Sequence, residues 1–185
     1  MTDYKEIKGK TVLNIASDLD NAEGQGEIWF NTTSGDFKTI VKAAGAWASG
    51  GNLNTAKRYG STAGTQTAGL YFGGSPGSTI AEETEEYNGS AWTAGGDLTT
   101  GRATAGGTGV QTAALCIGSY PSGAIVEAYD GSSWSEGPDL SGGRHNLSSA
   151  GTTTAALGAG GNLPPSTNVT EEWDLSVAGA NWDTT

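Results

Sequence analysis

The sequence predicts an all-β fold made of repeated blades, each of four short antiparallel strands. Three observations predict it. A phrase built on tryptophan, glycine and leucine occurs three times, as AWASGGNLN at 46–54, AWTAGGDLT at 91–99 and SWSEGPDLS at 133–141. Glycine is abundant, with 31 residues in a chain of 185, as in turn-rich β proteins. Short apolar runs such as GLYFGG and AALCIG, with six tryptophans and six tyrosines, can supply a core.

The repeated phrase belongs to a longer register. Each tryptophan is followed by a leucine six residues on, an arginine ten or eleven on, a glycine seventeen on, and a Gly-Gly or Gly-Ser pair at twenty-six. After a gap of variable length come Glu-x-Tyr or Glu-x-Trp and then the next tryptophan, so that the periods are 45, 42 and 48 residues. The recurring residues are Trp47, Trp92, Trp134 and Trp182, Arg58, Arg102 and Arg144, and Glu85, Glu127 and Glu171.

Each repeat holds four strand candidates separated by turn residues. In the first repeat they span 59–64, 67–73, 82–87 and 91–94. The dipeptides Asn88-Gly89 and Asp130-Gly131 predict two-residue type I′ hairpins, in which both residues take positive φ. Four strands in each period of 40 to 50 residues predict the blades of a β-propeller.

These residues together resemble the kelch repeat. The shared features are an apolar run ending in Gly-Gly, a variable gap, a Glu-x-Tyr-Asp/Asn strand, a tryptophan about five residues later, and a following leucine and arginine. The resemblance covers about residues 47–182. It departs at Ser119, at Trp173 and in the longer interval before Trp182. It implies a kelch-like propeller of about four blades, with three kelch-like repeats in 47–185.

Physical reasons agree with this resemblance. A glycine pair at a strand end lets neighbouring backbone approach closely. Tyrosine and tryptophan are large enough to fill the space between blades. The recurring arginine is expected to tie adjacent blades through carbonyl or carboxylate oxygens, the recurring glutamate among them, although a ligand-binding ring of arginines is an alternative.

The N-terminal segment, 1–46, has two interpretations. Strand candidates at 11–17, 26–31, 36–42 and 45–47 would make it an irregular blade, bringing the count to four. Alternatively, GQGEIWFNTTSGDFKTIVKAAGAW resembles a hairpin segment of bacteriophage tail-fibre and other virion proteins. GGNLNTAKRYG at 50–60 is also similar to a phrase in the kelch-like units of marine phage structural proteins. Both interpretations predict a hairpin with its turn at TTSGD.

Charge and composition exclude several function classes. Twenty acidic residues against nine basic ones give a net charge of −11, which would repel DNA or RNA. The N-terminus lacks an apolar signal segment, and no eighteen apolar residues run together, so we expect synthesis in a cytoplasm, no ordinary export and no membrane insertion. Cys116, the only cysteine, is expected in the core, and no intrachain disulfide can form.

Sequence motifs for chemistry are weak. His145 is the only histidine, so neither a histidine-rich metal site nor the two-histidine copper site of some kelch-like oxidases can be carried over. Glu83 and Glu85 are weak candidates for a glycosidase pair, because they lie side by side on one strand face. We therefore predict no catalytic residues, metal or cofactor.

The loops after the glycine pairs, at 75–81, 120–125 and 162–170, vary in length while the framework is fixed. Equivalent loops of a propeller emerge on one face, so they can present a binding surface. The alternative is that nothing constrains them. The candidate ligand-binding residues are Pro76, Tyr120, Pro121, Asn162, Pro164 and Pro165.

These observations predict a non-enzymatic bacteriophage virion protein, either a fibre, an appendage or a capsid-surface component. Its expected partners are other virion proteins and a host surface glycan or protein, and a homo-oligomer is expected. The blades could instead form an open array that closes against other chains. Alternative functions are a cellular kelch-type interaction module and, third, a glycan-acting hydrolase.

Overall fold

The computed structural model describes residues 13–15, 28–39, 45–121, 123–162, 165–175 and 182–184, with only the backbone of 13–15, 39 and 182–184. Every regular element in these residues is a β-strand, which confirms the all-β class. None of the described residues forms a helix that could cross a membrane. The chain divides into an N-terminal unit, Met1–Ala48, and a C-terminal unit, Ser49–Thr185.

The N-terminal unit contains a three-stranded sheet of β1 (Leu13–Ile15), β2 (Ile28–Asn31) and β3 (Asp36–Thr39). Strands β2 and β3 pair antiparallel, and the Asn31 side-chain oxygen accepts the amides of Thr33 and Ser34 across the turn. The hairpin predicted at TTSGD is therefore present.

This sheet differs from the predicted irregular blade. Strand β1 runs parallel to β2, and residues 45–47 form no strand. Trp47 is 104% exposed, whereas Trp134, at the equivalent repeat position, is 6% exposed. The expected structural role of Trp47 is wrong because Trp92 and Trp134 each begin a strand that closes a four-stranded sheet, and Trp47 does not. Residues 11, 12, 16, 17, 26, 27 and 40–42, which belong to the strands predicted for this segment, lie outside the described ranges.

The C-terminal unit consists of three four-stranded antiparallel sheets, each with its strands in chain order. The first sheet contains β4 (Ser61–Thr65), β5 (Ala68–Phe72), β6 (Thr84–Tyr87) and β7 (Trp92–Ala94). The middle sheet contains β8 (Gly106–Val110), β9 (Ala113–Ser119), β10 (Gly123–Tyr129) and β11 (Trp134–Glu136). The last sheet contains β12 (Ser148–Gly151), β13 (Ala155–Ala159), β14 (Thr170–Asp174) and β15 (Trp182–Thr184). The four strands predicted for the first repeat are confirmed.

The hairpins at the outer edges are wider than predicted. Tyr87 pairs with Trp92, which leaves a four-residue loop in which Gly89 takes positive φ. The Asn88 side-chain oxygen accepts the amides of Ser90 and Ala91. The predicted type I′ geometry is thus wrong at Asn88, because this side chain holds the loop open by binding its amides.

Asp130 has the same position in the middle sheet. Its carboxylate accepts the amides of Ser132 and Ser133 and the Ser132 hydroxyl, and Gly131 takes positive φ. Hydrogen bonds from Ser133 and Ser132 lower the pKa of Asp130 to about 2. The loop is again four residues long, which corrects the second type I′ prediction.

The three sheets stand side by side, with β8 packed between β4 and β12. A cluster that includes Phe72, Leu98 and Trp134 fills the space between the first and middle sheets. A second cluster, including Ile117 and Trp173, fills the space between the middle and last sheets. Within the C-terminal unit, the middle sheet is covered on both faces, and the outer sheets on one.

Candidate binding site where the three sheets meet

A buried ion pair anchors the loop that enters the middle sheet. Arg102 is 1% exposed and binds the carboxylate of the fully buried Glu127. The guanidinium also donates to the Ile125 carbonyl at 2.9 Å, and the other Glu127 oxygen accepts the Thr99 amide at 2.8 Å. Charge and hydrogen-bonding capacity are thereby matched in the core.

The last sheet repeats this arrangement. Arg144 Nη2 lies 2.9 Å from Glu171 Oε1, and Glu171 Oε2 accepts the Ser141 amide at 2.8 Å. Arg144 also donates to the carbonyls of Gly158 and Val169. Both arginines thus bind carbonyl and carboxylate oxygens, the partners named for them from the sequence.

In the first repeat the cation is Lys57, one residue before the arginine predicted for this role. Lys57 Nζ lies 3.6 Å from Glu85 and 3.7 Å from Glu83. Glu85 also accepts the Asn54 amide at 2.7 Å. The framework role predicted for Arg58 is wrong because ten residues, not eleven, separate the tryptophan from the buried cation. Arg58 is instead exposed.

The glycine pairs bring neighbouring backbones together. A Cβ at Gly73 would lie 2.4 Å from the Arg102 carbonyl oxygen, and one at Gly118 would lie 2.5 Å from that of Arg144. The amides of Gly74 and Ser119 donate to the same two carbonyls at 2.8 and 3.0 Å. Gly73 and Gly118 therefore need to be glycine for space as well as for positive φ.

The next residues of each repeat form a hydrogen-bonded line across the sheets. Tyr59, Thr104 and Asn146 all take the left-handed conformation, with φ between 55° and 62°. The Thr104 amide donates to the Tyr59 carbonyl, and the Asn146 amide donates to the Thr104 carbonyl, both at 2.8 Å. Threonine is rare at positive φ, so the surrounding contacts must hold it there.

These loops line a cavity of about 490 Å³, a size suited to a small molecule or part of a larger one. All three repeats contribute to it. The lining residues are Arg58, Tyr59, Ser75, Gly77, Ser78, Ile80, Ala103, Thr104, Tyr120, His145 and Asn146.

The cavity combines aromatic rings with polar groups. The Arg58 guanidinium lies 5.2 Å from the Tyr59 ring centroid and donates to the Gly77 carbonyl at 3.1 Å. The Tyr120 and His145 rings meet edge to face at 5.8 Å. Tyr59 and Tyr120 are 59% and 56% exposed, so both rings can take up a ligand.

The residues predicted to bind ligand are placed unequally. Tyr120 lines the cavity, and Asn162 exchanges backbone hydrogen bonds with His145 beside it. Pro76 is exposed between two lining residues, and Pro121 is exposed after a cis bond from Tyr120. Pro165 is exposed and does not line this cavity, and Pro164 lies outside the described residues.

Six lining residues lie in a segment where the sequence predicts ligand binding only through the alternative ring of arginines, and so only at Arg58. They are Arg58, Tyr59, Ala103, Thr104, His145 and Asn146. A signal for them exists: between the constant cation and the constant glycine of each repeat, the eleventh and twelfth residues after the tryptophan vary from repeat to repeat.

A second cavity, of about 530 Å³, includes the β4–β5 turn and the glycines of β8 in its lining. Most of its lining is glycine, alanine and threonine, so it offers little side-chain chemistry. No cluster of metal-ligating side chains occurs in the described part of the chain. Cys116 is fully buried, and burial raises the pKa of its thiol to about 12.

Comparison with known proteins gives a likeness of fold. No protein-family model matches the chain, and no curated protein does. Among solved structures, 132 chains match. The structure of YjhT superposes with a TM-score of 0.58 at 8% identity, over 85% of this chain and 51% of that one. This chain therefore spans about half the length of that structure.

Proposed function

We propose that this protein is a non-enzymatic virion component of a bacteriophage that binds a host surface glycan or receptor through a kelch-like propeller face. The observation that carries the binding function is the cavity lined by Tyr59, Tyr120 and His145. A sugar presents apolar C–H faces and many hydroxyls. Exposed tyrosine rings can stack on the former, and the Asn146 amide and Arg58 guanidinium can bind the latter.

The framework supports binding rather than catalysis. The recurring carboxylates of Glu85, Glu127 and Glu171 are buried and bind backbone amides and cations in the core. Glu83, which also faces Lys57, lies one residue before strand β6 and is not part of the cavity lining. Of the two carboxylates considered for glycoside hydrolysis, Glu85 therefore holds a loop through the Asn54 amide.

The phage setting rests on the sequence resemblances of the N-terminal segment and of 50–60. The propeller interpretation is supported by three repeated four-stranded sheets packed through their first strands. The predicted count of about four blades would require the N-terminal unit to serve as the fourth.

The test is binding of the purified chain to immobilised bacterial polysaccharides, with Tyr120→Ala and His145→Ala as the site variants. We expect the native chain to bind at least one polysaccharide and each variant to lose about ten-fold or more in affinity. Trp47→Ala removes an aromatic side chain that is more exposed than either and is not part of the cavity lining, and it is the control. An equal loss in this control, or no binding at all, would contradict the proposed site.

Two further measurements separate the alternatives. Release of reducing ends from the bound polysaccharide would identify a hydrolase and overturn the non-enzymatic assignment. Antibodies against the chain should label phage particles. Labelling of cellular complexes instead would favour the cellular interaction module.

A further inference from the structure

The two outer sheets of the C-terminal unit have complementary open faces. The position of Leu70 and Leu115, which are 0% and 2% exposed between sheets, is taken in the last sheet by Leu157, which is 38% exposed. This leucine also lines an open depression of about 410 Å³ with Ala155 and Glu172. Within the described part of the C-terminal unit, the last sheet therefore lacks the neighbouring sheet that covers this face in the other two.

The first sheet has no neighbouring sheet on its opposite face within the described residues of the same unit. Cys116, Tyr129 and Trp134 cover the first sheet from the middle one and are at most 6% exposed. Their register equivalents in the first sheet, Tyr71, Tyr87 and Trp92, are only half-buried. An aromatic face that is buried in the middle repeat is thus still accessible in the first.

Backbone hydrogen bonds that recur between neighbouring repeats are not made at the first and last repeats within the described residues. The amides of Gly74 and Ser119 donate to the buried cation's carbonyl in the following repeat, whereas the equivalent Gly161 amide has no such partner among the described residues. The line from Tyr59 to Asn146 likewise ends with a Tyr59 amide and an Asn146 carbonyl that, among the residues the structure describes, lack the bonds made inside the line. Such groups are costly to leave unpaired in an interface and direct what can dock there.

We infer that a second copy of this chain covers both faces. The last sheet of each copy packs on the first sheet of the other, so that two seams form and three sheets from each copy close one ring. This ring has six sheets and replaces the count of about four blades, in which the N-terminal unit would serve as the fourth. Across each seam, the partner's first sheet supplies the aromatic face for Leu157, the Lys57 carbonyl for the Gly161 amide, and the Tyr59 amide for the Asn146 carbonyl. The two equivalent seams satisfy a two-fold axis.

The length of two chains agrees with the structural comparison. A match over 85% of this chain covers 51% of the YjhT structure, so two chains together have the length of one such structure. The arrangement also extends the cavity, because Tyr59 and Asn146 stand at the two ends of its hydrogen-bonded line and would each meet the partner's lining. The inference does not depend on which ligand the cavity binds.

The experiment is the molar mass of the purified chain by light scattering on a sizing column. We expect twice the 18.6 kDa chain mass. Leu157→Asp should give a single-chain mass with an unchanged circular dichroism spectrum, since this side chain is already partly exposed. Val110→Asp places the same charge at an exposed position of the middle sheet and should remain two chains. A native single-chain mass, a larger assembly, or equal behaviour of the two variants would overturn the proposal.

A mixing experiment tests which faces meet. Tyr71→Asp alters the opposite face and should also give a single-chain mass alone. A mixture of Leu157→Asp and Tyr71→Asp chains retains one intact seam, so a two-chain species should reappear. Failure of the mixture to associate, while each variant stays folded, would overturn the pairing of the last sheet with the first.

Discussion

The middle and first sheets each contain a buried cation–glutamate pair, but the two charges are closer together in the middle sheet than in the first. In the middle sheet, Arg102 and Glu127 are at most 1% exposed, bind each other directly, and bind carbonyl and amide groups around them. In the first sheet, Lys57 lies 3.6 Å from Glu85 and shares its charge with Glu83, whose side chain is 58% exposed. The comparison indicates that the framework requires a cation at this position. It also indicates that arginine binds the glutamate more closely than lysine does, since Arg144 makes the same close pair in the last sheet, which is covered on one face only.

The largest change in the free energy of unfolding is expected when the cation of this pair is removed. Arg102→Ala leaves Glu127 charged and buried, so we expect a loss of about 3–5 kcal/mol in the free energy of unfolding. Lys57→Ala should cost only about 1–2 kcal/mol, because the Lys57 ammonium lies 3.6 Å from Glu85 and does not make the direct hydrogen bond that Arg102 makes to Glu127. Urea unfolding of both variants measures the difference. Equal losses would show that the closeness of the two charges does not set the strength of the pair.

Equivalent leucines extend the comparison to the last sheet. Leu115→Ala should lower the free energy of unfolding by about 3 kcal/mol, as for a fully buried leucine. Leu157→Ala should lower it by less than about 1 kcal/mol, because this side chain is 38% exposed. Both are to be measured at a dilution where light scattering gives a single-chain mass. A large effect at Leu157 under those conditions would mean that its face is covered within one chain.

Thiol labelling compares the exposure of the middle and last sheets without destabilising the core. Burial raises the pKa of Cys116 to about 12, so a thiol reagent at pH 8 should label the native chain only as fast as it opens. Leu157→Cys should add one rapidly labelled thiol in the single chain. Rapid labelling of Cys116 itself would contradict the tight packing of the middle sheet.

The smallest effect concerns the outer hairpins. The pKa of Asp130 is lowered from 3.8 to about 2, so its contribution to stability is present above pH 3.8 and is lost as the pH falls toward 2. Asp130→Asn should keep the loop at neutral pH, as Asn88 does in the first sheet, and should lack this acid-dependent part. Urea midpoints at pH 6 and pH 2.5 test it. An unchanged pH dependence in the variant would assign the loss to other carboxylates.

The sequence predicts the sheets well because their spacing is set by physical requirements that recur in every repeat. The glycines that begin each pair take positive φ, and the glutamates need a cation and an amide. The same residue type therefore recurs at each of these positions in the repeats. The same constancy misplaces Arg58, since Lys57 satisfies the requirement equally and an adjacent arginine resembles it. Trp47 is likewise matched by spacing alone, although it begins no strand.

The sequence predicts the cavity only in part because the framework does not fix which side chains line it. The variable loops predict Tyr120, whereas Tyr59, Thr104 and His145 stand in a segment whose length is the same in every repeat. The constant length gives no sign that the side chains of this segment vary. The sequence does not predict the turn type at Asn88 for another reason: its side chain binds two amides, which a dipeptide propensity does not represent.

The line of backbone bonds through Tyr59, Thr104 and Asn146 has a consequence for how this protein can change over generations. Its links are made by amides and carbonyls, so a codon change at any of the three positions alters the lining while the links remain. Only the left-handed conformation filters what is accepted, and asparagine or glycine meets it most easily. Single substitutions at these positions can therefore change the chemistry of the cavity lining during evolution, while the backbone hydrogen bonds that hold the sheets together stay the same.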